Sequence, residues 1–215
     1  MDPGRLINGL ILYLGLLVLL TFHEFGHAWM AWKCGDDTAR LQGRVSLNPL
    51  VHMDLIGTVV LPLLMIFMAP AGFFVGWAKP VPVDPDNLRN PRTDDIMVTL
   101  AGPWMNLILA VVIMGLARLG MAMHIGGLSE ISLNLAHLSL LLCFFNLLPI
   151  PPLDGSQVVR SVIGMSYETY HQIARYGIFI LIVVLQVPLI QQVLNSVTTN
   201  SWMAIGGWFG IPLAA

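Results

Sequence analysis

Charge is what this sequence lacks. Only 10% of its 215 residues are Asp, Glu, Lys or Arg, where soluble domains carry about 25%. So few charges cannot coat a water-exposed surface. With 56% hydrophobic residues and a mean hydropathy of +0.77, the chain reads as an integral membrane protein with several spans. Basic residues are not in surplus either. The formal net charge is −2, which leaves no electrostatic case for nucleic-acid binding. Cysteine is scarce: Cys34 and Cys143 fit neither a disulfide framework nor a metal motif. There is no internal repeat, low-complexity tail or appended soluble domain, so residues 1–215 read as one membrane domain, with a core over 5–165 and membrane segments over 166–215. Arg5 precedes an apolar run, but no small-x-small site lies between it and His23. That argues for a retained span rather than a cleaved signal peptide.

What is there is concentrated at Thr21-Phe22-His23-Glu24-Phe25-Gly26-His27. Residues four apart share a helix face. His23 and His27 so placed can hold one Zn²⁺, and Glu24 can reach water beside the metal as a general base. The flanks, Leu6 to Leu20 and Ala28 to Trp32, are apolar. Charged groups inside such a span cost roughly 2.5–3.5 kcal/mol each on insertion scales, so a functional reading outweighs that of two core histidines satisfying a glutamate.

The remaining chain divides by composition. Segment one runs from Leu6 to about Trp32, roughly 40 Å of helix. Thr38 to Leu47 alternates weakly around Gly43 and predicts a short β-hairpin; Asn48 to Asp54 reads as a turn, with Asp54 capping the next segment. Leu55 to Phe74 is apolar but broken by Gly57, Pro62, Pro70 and Gly72. Trp77 to Val83 is held extended by prolines. Spans are expected over Asp94–Arg118, Ile131–Leu148 and Tyr176–Leu194, the last kinked at Pro188, with Trp202–Leu213 a further short segment. The fold class is therefore an all-α polytopic membrane protein of about five to six segments, one of them re-entrant, with short β-hairpin or extended elements near the active site.

Two histidines do not complete a catalytic zinc site, and a third protein ligand is expected. Asp54, Asp84, Asp86, Asp94, Asp95, Glu130, Asp154 and Glu168 are the candidates. Asp154, between a proline-broken span end and Gly155, stands out, but it serves equally as the N-cap of a Gly155–Ile163 helix. Topology bears on the choice. If Leu55–Phe74 crosses fully, the histidines and Asp154 face opposite sides. If it dips and returns, they share one side, and Lys33, Arg40, Arg44, Lys79, Arg89, Arg92, Arg160 and Arg175 share it with them against Arg5 and Arg118. The positive-inside rule favours the re-entrant version and makes that face cytoplasmic, in a cell (inner) membrane.

His23-Glu24-Phe25-Gly26-His27, Ala101-Gly102-Pro103-Trp104-Met105-Asn106 and the run from Asn146 to Gly155 together resemble the three signatures of the site-2 protease family, the intramembrane zinc metalloproteases. Order and spacing match over roughly residues 5–165. Asn48 to Asp54 and Gly76 to Val83 further resemble a compact bacterial-type branch, although Leu55 stands where a proline usually succeeds Asp54. The chain has no room for the PDZ or CBS modules of regulated members. The resemblance implies one Zn²⁺ per chain held by His23, His27 and Asp154, with Glu24 as acid/base. It implies that Asn146 holds substrate or the developing oxyanion; Asn106, at the polar position of the second signature, reads as helix packing first and substrate contact second. His52 is a further candidate for substrate contact, with a turn cap as the plainer reading.

The expected partners are transmembrane segments of substrate proteins and the bilayer, with no nucleic acid and with room for homo-oligomers. The competing readings are a metal transporter or metal-binding membrane protein, and a non-catalytic scaffold. His124, His137 and His171 have no ligand-like partners, and Trp29, Trp32, Trp77 and Trp202 suit membrane-interface anchors.

Overall fold

The computed structural model describes residues 3–68 and 76–213, and among them the regular elements are all helical, with no strand. Among the described residues three helices are each long and apolar enough to cross a bilayer: α1 (Pro3–Cys34), α4 (Pro91–Ala122) and α5 (Gly126–Asn146). Between the first two lie α2 (Thr38–Leu41) and α3 (Leu61–Met68), the latter continuing a π-helical turn over Leu55–Val60. After α5 come α6 (Asp154–Ile163), α7 (Tyr167–Ala174), α8 (Gly177–Leu185) and α9 (Pro188–Trp208).

α4 packs between α1 and α5, and small residues let the helices close up. A Cβ on Gly26 would lie 2.7 Å from the carbonyl oxygen of Ala101, so glycine is what permits α1 and α4 to touch backbone to backbone there. Ala110, Met114 and Ala117 of α4, Ala136 and Leu140 of α5, and Ile205 of α9 form the largest buried cluster.

The stretch between α1 and α4 leaves and returns at the same end of the bundle. The Arg89 N–H donates to the carbonyl of Cys34 at 3.1 Å, joining the last residue of α1 to the approach to α4. Within that excursion the apolar segment is closed at its mouth. The Trp77 N–H donates to Gly57 O at 3.2 Å, and Thr58 Oγ1 donates to Trp77 O at 2.8 Å. Its inner end lies far from that mouth: a Cβ on Gly9, near the opposite end of α1, would touch Ile66 Cγ2 at 3.2 Å. Gly9 and His23 are fourteen residues apart in one helix, about 21 Å. Residues 55–68 thus run inward along α1 from a mouth at which Trp77 stands again beside Gly57; the turn of the Leu55–Phe74 segment, with Pro70 and Gly72, lies outside the described residues. Asp54 caps the segment as expected, its Oδ1 accepting from the N–H of Ile56 and Gly57.

Three expectations need correction. The hairpin over Thr38–Leu47 is instead a single helical turn and then bends. Asp36, fully buried, accepts hydrogen bonds from Thr38 N and Oγ1, from Asp84 N and from Asn87 Nδ2. That carboxylate starts the helical turn, and side-chain bonding of this kind outcompetes a ladder. The span expected over Tyr176–Leu194 does bend at Pro188 as expected, but so sharply, by 82°, that it is two helices, α8 and α9, and the second runs on to Trp208. Residues 202–208 are then the end of α9 rather than a segment of their own. Trp202 accordingly packs inward, its Nε1 donating to Leu133 O at 3.1 Å.

Candidate metal centre

The C-terminal part of α1, the N-terminal part of α4 and the chain just beyond α5 meet at one end of the bundle, and the candidate residues gather there. Nε2 of His23 and Nε2 of His27 are 3.1 Å apart. Asp154 Oδ2 lies 3.2 Å from the first and 3.4 Å from the second. These are the ligand atoms of a His₂Asp group that can hold a metal ion. Zn–ligand bonds of about 2.0–2.1 Å in a tetrahedral site set ligand atoms about 3.3–3.4 Å apart, and the three edges fall close to that length. The surroundings fit the same reading. Oδ2 of Asp154 is buried yet has no hydrogen-bond partner, the expected condition of an oxygen whose partner is a cation.

Each candidate ligand is aimed by its own element. His27 donates from Nδ1 to the carbonyl of Val98 at 2.8 Å, which fixes the tautomer that leaves Nε2 free. Asn106 stands beside Nδ1 of His23 at 3.1 Å. Val98, Gly102 and Asn106 are spaced by four and form one stripe along α4. The two ends of the stripe meet the outer nitrogens of the rings, and Gly102 between them lies against the rings themselves. Asp154 is the first residue of α6, not its cap: Leu153 occupies the cap position and gives no side-chain hydrogen bond. Gly155 acts through size rather than bending, since a Cβ there would be 2.6 Å from Leu148 O.

A buried polar cluster behind α6 was not legible in the sequence. Asp95 of α4 receives Arg160 Nη2, Ser161 Oγ and the Tyr167 hydroxyl, the last at 2.7 Å. The Arg160–Asp95 ion pair has both side chains under 10% exposed, at 5% and 8%. The Arg160 guanidinium also stacks over the Tyr167 ring at 3.6 Å. Burial raises the Tyr167 pKa well above the usual phenol range, and its bond to Asp95 adds to the shift. This cluster clamps the helix that carries Asp154.

Glu24 is half-buried, one residue along from His23. Arg44 is a further residue that the sequence does not mark. It is 4% exposed, donates from Nη2 to Lys79 O at 2.5 Å, and has its Nε without a partner. Among the described residues no carboxylate pairs with it within 4.0 Å; burial lowers its pKa and the charge of Glu24 opposes that shift. His52 ends the short helical turn over Pro49–Val51, its N–H donating to Pro49 O in the capping place expected of it, and it is buried there. Its Nε2 lies 2.7 Å from Ser46 O, its backbone carbonyl accepts from Lys79 N at 2.8 Å, and Nδ1 is unpartnered. Burial lowers the His52 pKa, and because the Ser46 carbonyl can only accept, Nε2–H is the donor and Nδ1 is the acceptor of the neutral ring. Asn146 ends α5, with its Nδ2 donating to Leu142 O at 3.0 Å. No sequence periodicity marks Arg44 or Asp95, because their partners lie tens of residues away.

The model of peptidase family M50 matches residues 11–121 and 114–185, which include every residue of the centre. The chain is 38% identical over 186 residues to YwhC of Bacillus subtilis (strain 168), covering 83% of this chain and 81% of that protein. It is 34% identical over 181 residues to Rip2 of Mycolicibacterium smegmatis, covering 81% of this chain and 66% of that protein. It is 37% identical over 141 residues to Rip2 of Mycobacterium tuberculosis (strain H37Rv), where the match spans about half, 52%, of the relative. All three are named as candidate zinc metalloproteases. No solved structure matches the chain.

Proposed function

The chain belongs to peptidase family M50, the site-2 protease family, and is a zinc-dependent metalloprotease; on that premise we propose that it hydrolyses peptide bonds within or beside membrane-spanning segments of other membrane proteins. The observation that carries this reading is the position of the His23–His27–Asp154 group, at one end of three apolar helices and walled by two of them.

His23, His27 and Asp154 are the zinc ligands. Bound there, Zn²⁺ supplies a Lewis acid that polarises the scissile carbonyl and brings the pKa of water toward about 7. Glu24 takes the proton of the attacking water and passes it to the leaving amine. Asn146, at the end of α5 just before the turn that leads to Asp154, holds the substrate backbone or the developing oxyanion. His52 presents a lone pair at Nδ1, so it can accept from a substrate N–H but not donate to an oxyanion while neutral. A substrate helix must unwind before its peptide bonds are accessible. The extended stretch at residues 76–83, anchored by Arg44 and His52, offers backbone to pair with it. The re-entrant segment beside that stretch serves as a gate.

The centre faces the cytoplasm. Arg44 and Arg160 are buried, so they drop out of the surface charge count, but Lys33, Arg40, Lys79, Arg89, Arg92 and Arg175 still outnumber Arg5 and Arg118. Reconstituted protein and a library of synthetic single-span peptides test the reading. Wild type is expected to cut a subset within the span, and Glu24→Gln to cut none while keeping its zinc. Cleavage by Glu24→Gln at the wild-type rate, or cleavage confined to water-soluble peptides, would contradict it.

A further inference from the structure

His23 has two ring nitrogens, and only Nε2 points at the shared centre. A neutral imidazole that offers Nε2 to a cation carries its proton on Nδ1, and that proton needs an acceptor. His27 has one in the Val98 carbonyl. His23 faces a side-chain amide instead. Asn106 is 1% exposed, its Nδ2 lies 3.1 Å from His23 Nδ1, and its Oδ1 is buried without a partner.

In this orientation two nitrogens meet, and a donating Asn106 would force the imidazole proton onto Nε2, where it would block the metal. The oxygen and nitrogen of an amide exchange places by a half-turn of the side chain. No hydrogen bond holds Oδ1 where it now lies. A cation on Nε2 decides between the two orientations, because it leaves the proton on Nδ1 and so requires Oδ1 to face it. The backbone there is fixed independently, since Ser139 Oγ, fully buried on α5, donates to the Asn106 carbonyl at 2.7 Å.

We propose that Asn106 is a positioning residue for the metal centre: its Oδ1 accepts His23 Nδ1–H and holds that ring in the tautomer and orientation that leave Nε2 as a ligand. Buried behind His23, it does not touch substrate. The inference rests on the zinc-ligand reading above, and the test separates the two.

The test measures zinc affinity of the detergent-purified, zinc-reloaded full chain by chelator competition. Asn106→Leu keeps the side chain's size and removes the acceptor. Asn106→Asp keeps an acceptor. The leucine variant is expected to bind zinc about 10–100-fold more weakly at unchanged helicity, and the aspartate variant to stay within a few-fold of wild type. A residue that matters only for packing would not be rescued by aspartate. Wild-type affinity in Asn106→Leu, or equal loss in both variants, would overturn the proposal while leaving the ligand set intact. If leucine disturbs the helicity, Asn106→Ala is judged by the same criteria. A wild type that binds no zinc would overturn the ligand set itself, and this inference with it.

Discussion

Gly102 of α4 lies directly against His27 of α1: a Cβ on Gly102 would be 2.6 Å from His27 Cε1, and 2.8 Å from Cε1 of His23. The Ala101-Gly102-Pro103 run is thus the wall of the metal centre, where any side chain would occupy the space of the imidazoles. Gly102→Ala is expected to fold, since rings can yield, but to lose most of its zinc. Gly26→Ala meets the Ala101 carbonyl instead, and backbone yields less readily. It is expected to be the less stable of the two, by about 1–3 kcal/mol relative to wild type. Metal analysis and thermal unfolding of both variants check this; full zinc in Gly102→Ala would contradict it.

The Asp95–Arg160–Tyr167 cluster is expected to matter for the metal as well as for the fold, because α6 carries Asp154 at its first residue and Arg160 within it. Arg160→Ala leaves a buried carboxylate uncompensated and is expected to cost about 3–5 kcal/mol. Tyr167→Phe removes one of three donors to Asp95 and should cost about 1 kcal/mol. Denaturation in detergent gives the order. Zinc affinity should fall in the same order, and an Arg160→Ala variant with wild-type stability and zinc would count against the clamp.

The re-entrant course has a direct chemical test. A Cβ on Gly9 would lie 3.9 Å from the Cβ of Ile66, within the range of about 3.5–4.5 Å that a disulfide spans. Gly9→Cys with Ile66→Cys is expected to cross-link under mild oxidation, and neither single variant should. Absence of the cross-link in the folded double variant would contradict the deep excursion of α3 along α1.

Much of this was legible in the sequence because the signals are local. His23 and His27 share a helix face by spacing alone, the three long spans announce themselves by composition, and Asp54 caps the segment it precedes. In sequence Asp154 stands between ligand and cap, and that ambiguity is physical, since aspartate suits both places and only the approach of α1 distinguishes them. The residues that stayed hidden depend on distant partners. Arg44 reads as a surface charge until the Lys79 carbonyl comes beside it, and Asp95 reads as a first-turn acid until Arg160, sixty-five positions on, packs against it. The false hairpin has the same origin, since Asp36 draws its donors from residues 38, 84 and 87.

The central claim is that His23, His27 and Asp154 together bind one zinc. Elemental analysis of detergent-purified wild type beside His23→Ala and Asp154→Ala tests it most directly. Near one zinc per chain in wild type, lost or much reduced in both variants, is the predicted result. Zinc lost from His23→Ala but fully retained in Asp154→Ala would contradict it, because the aspartate at the start of α6 would then be no ligand.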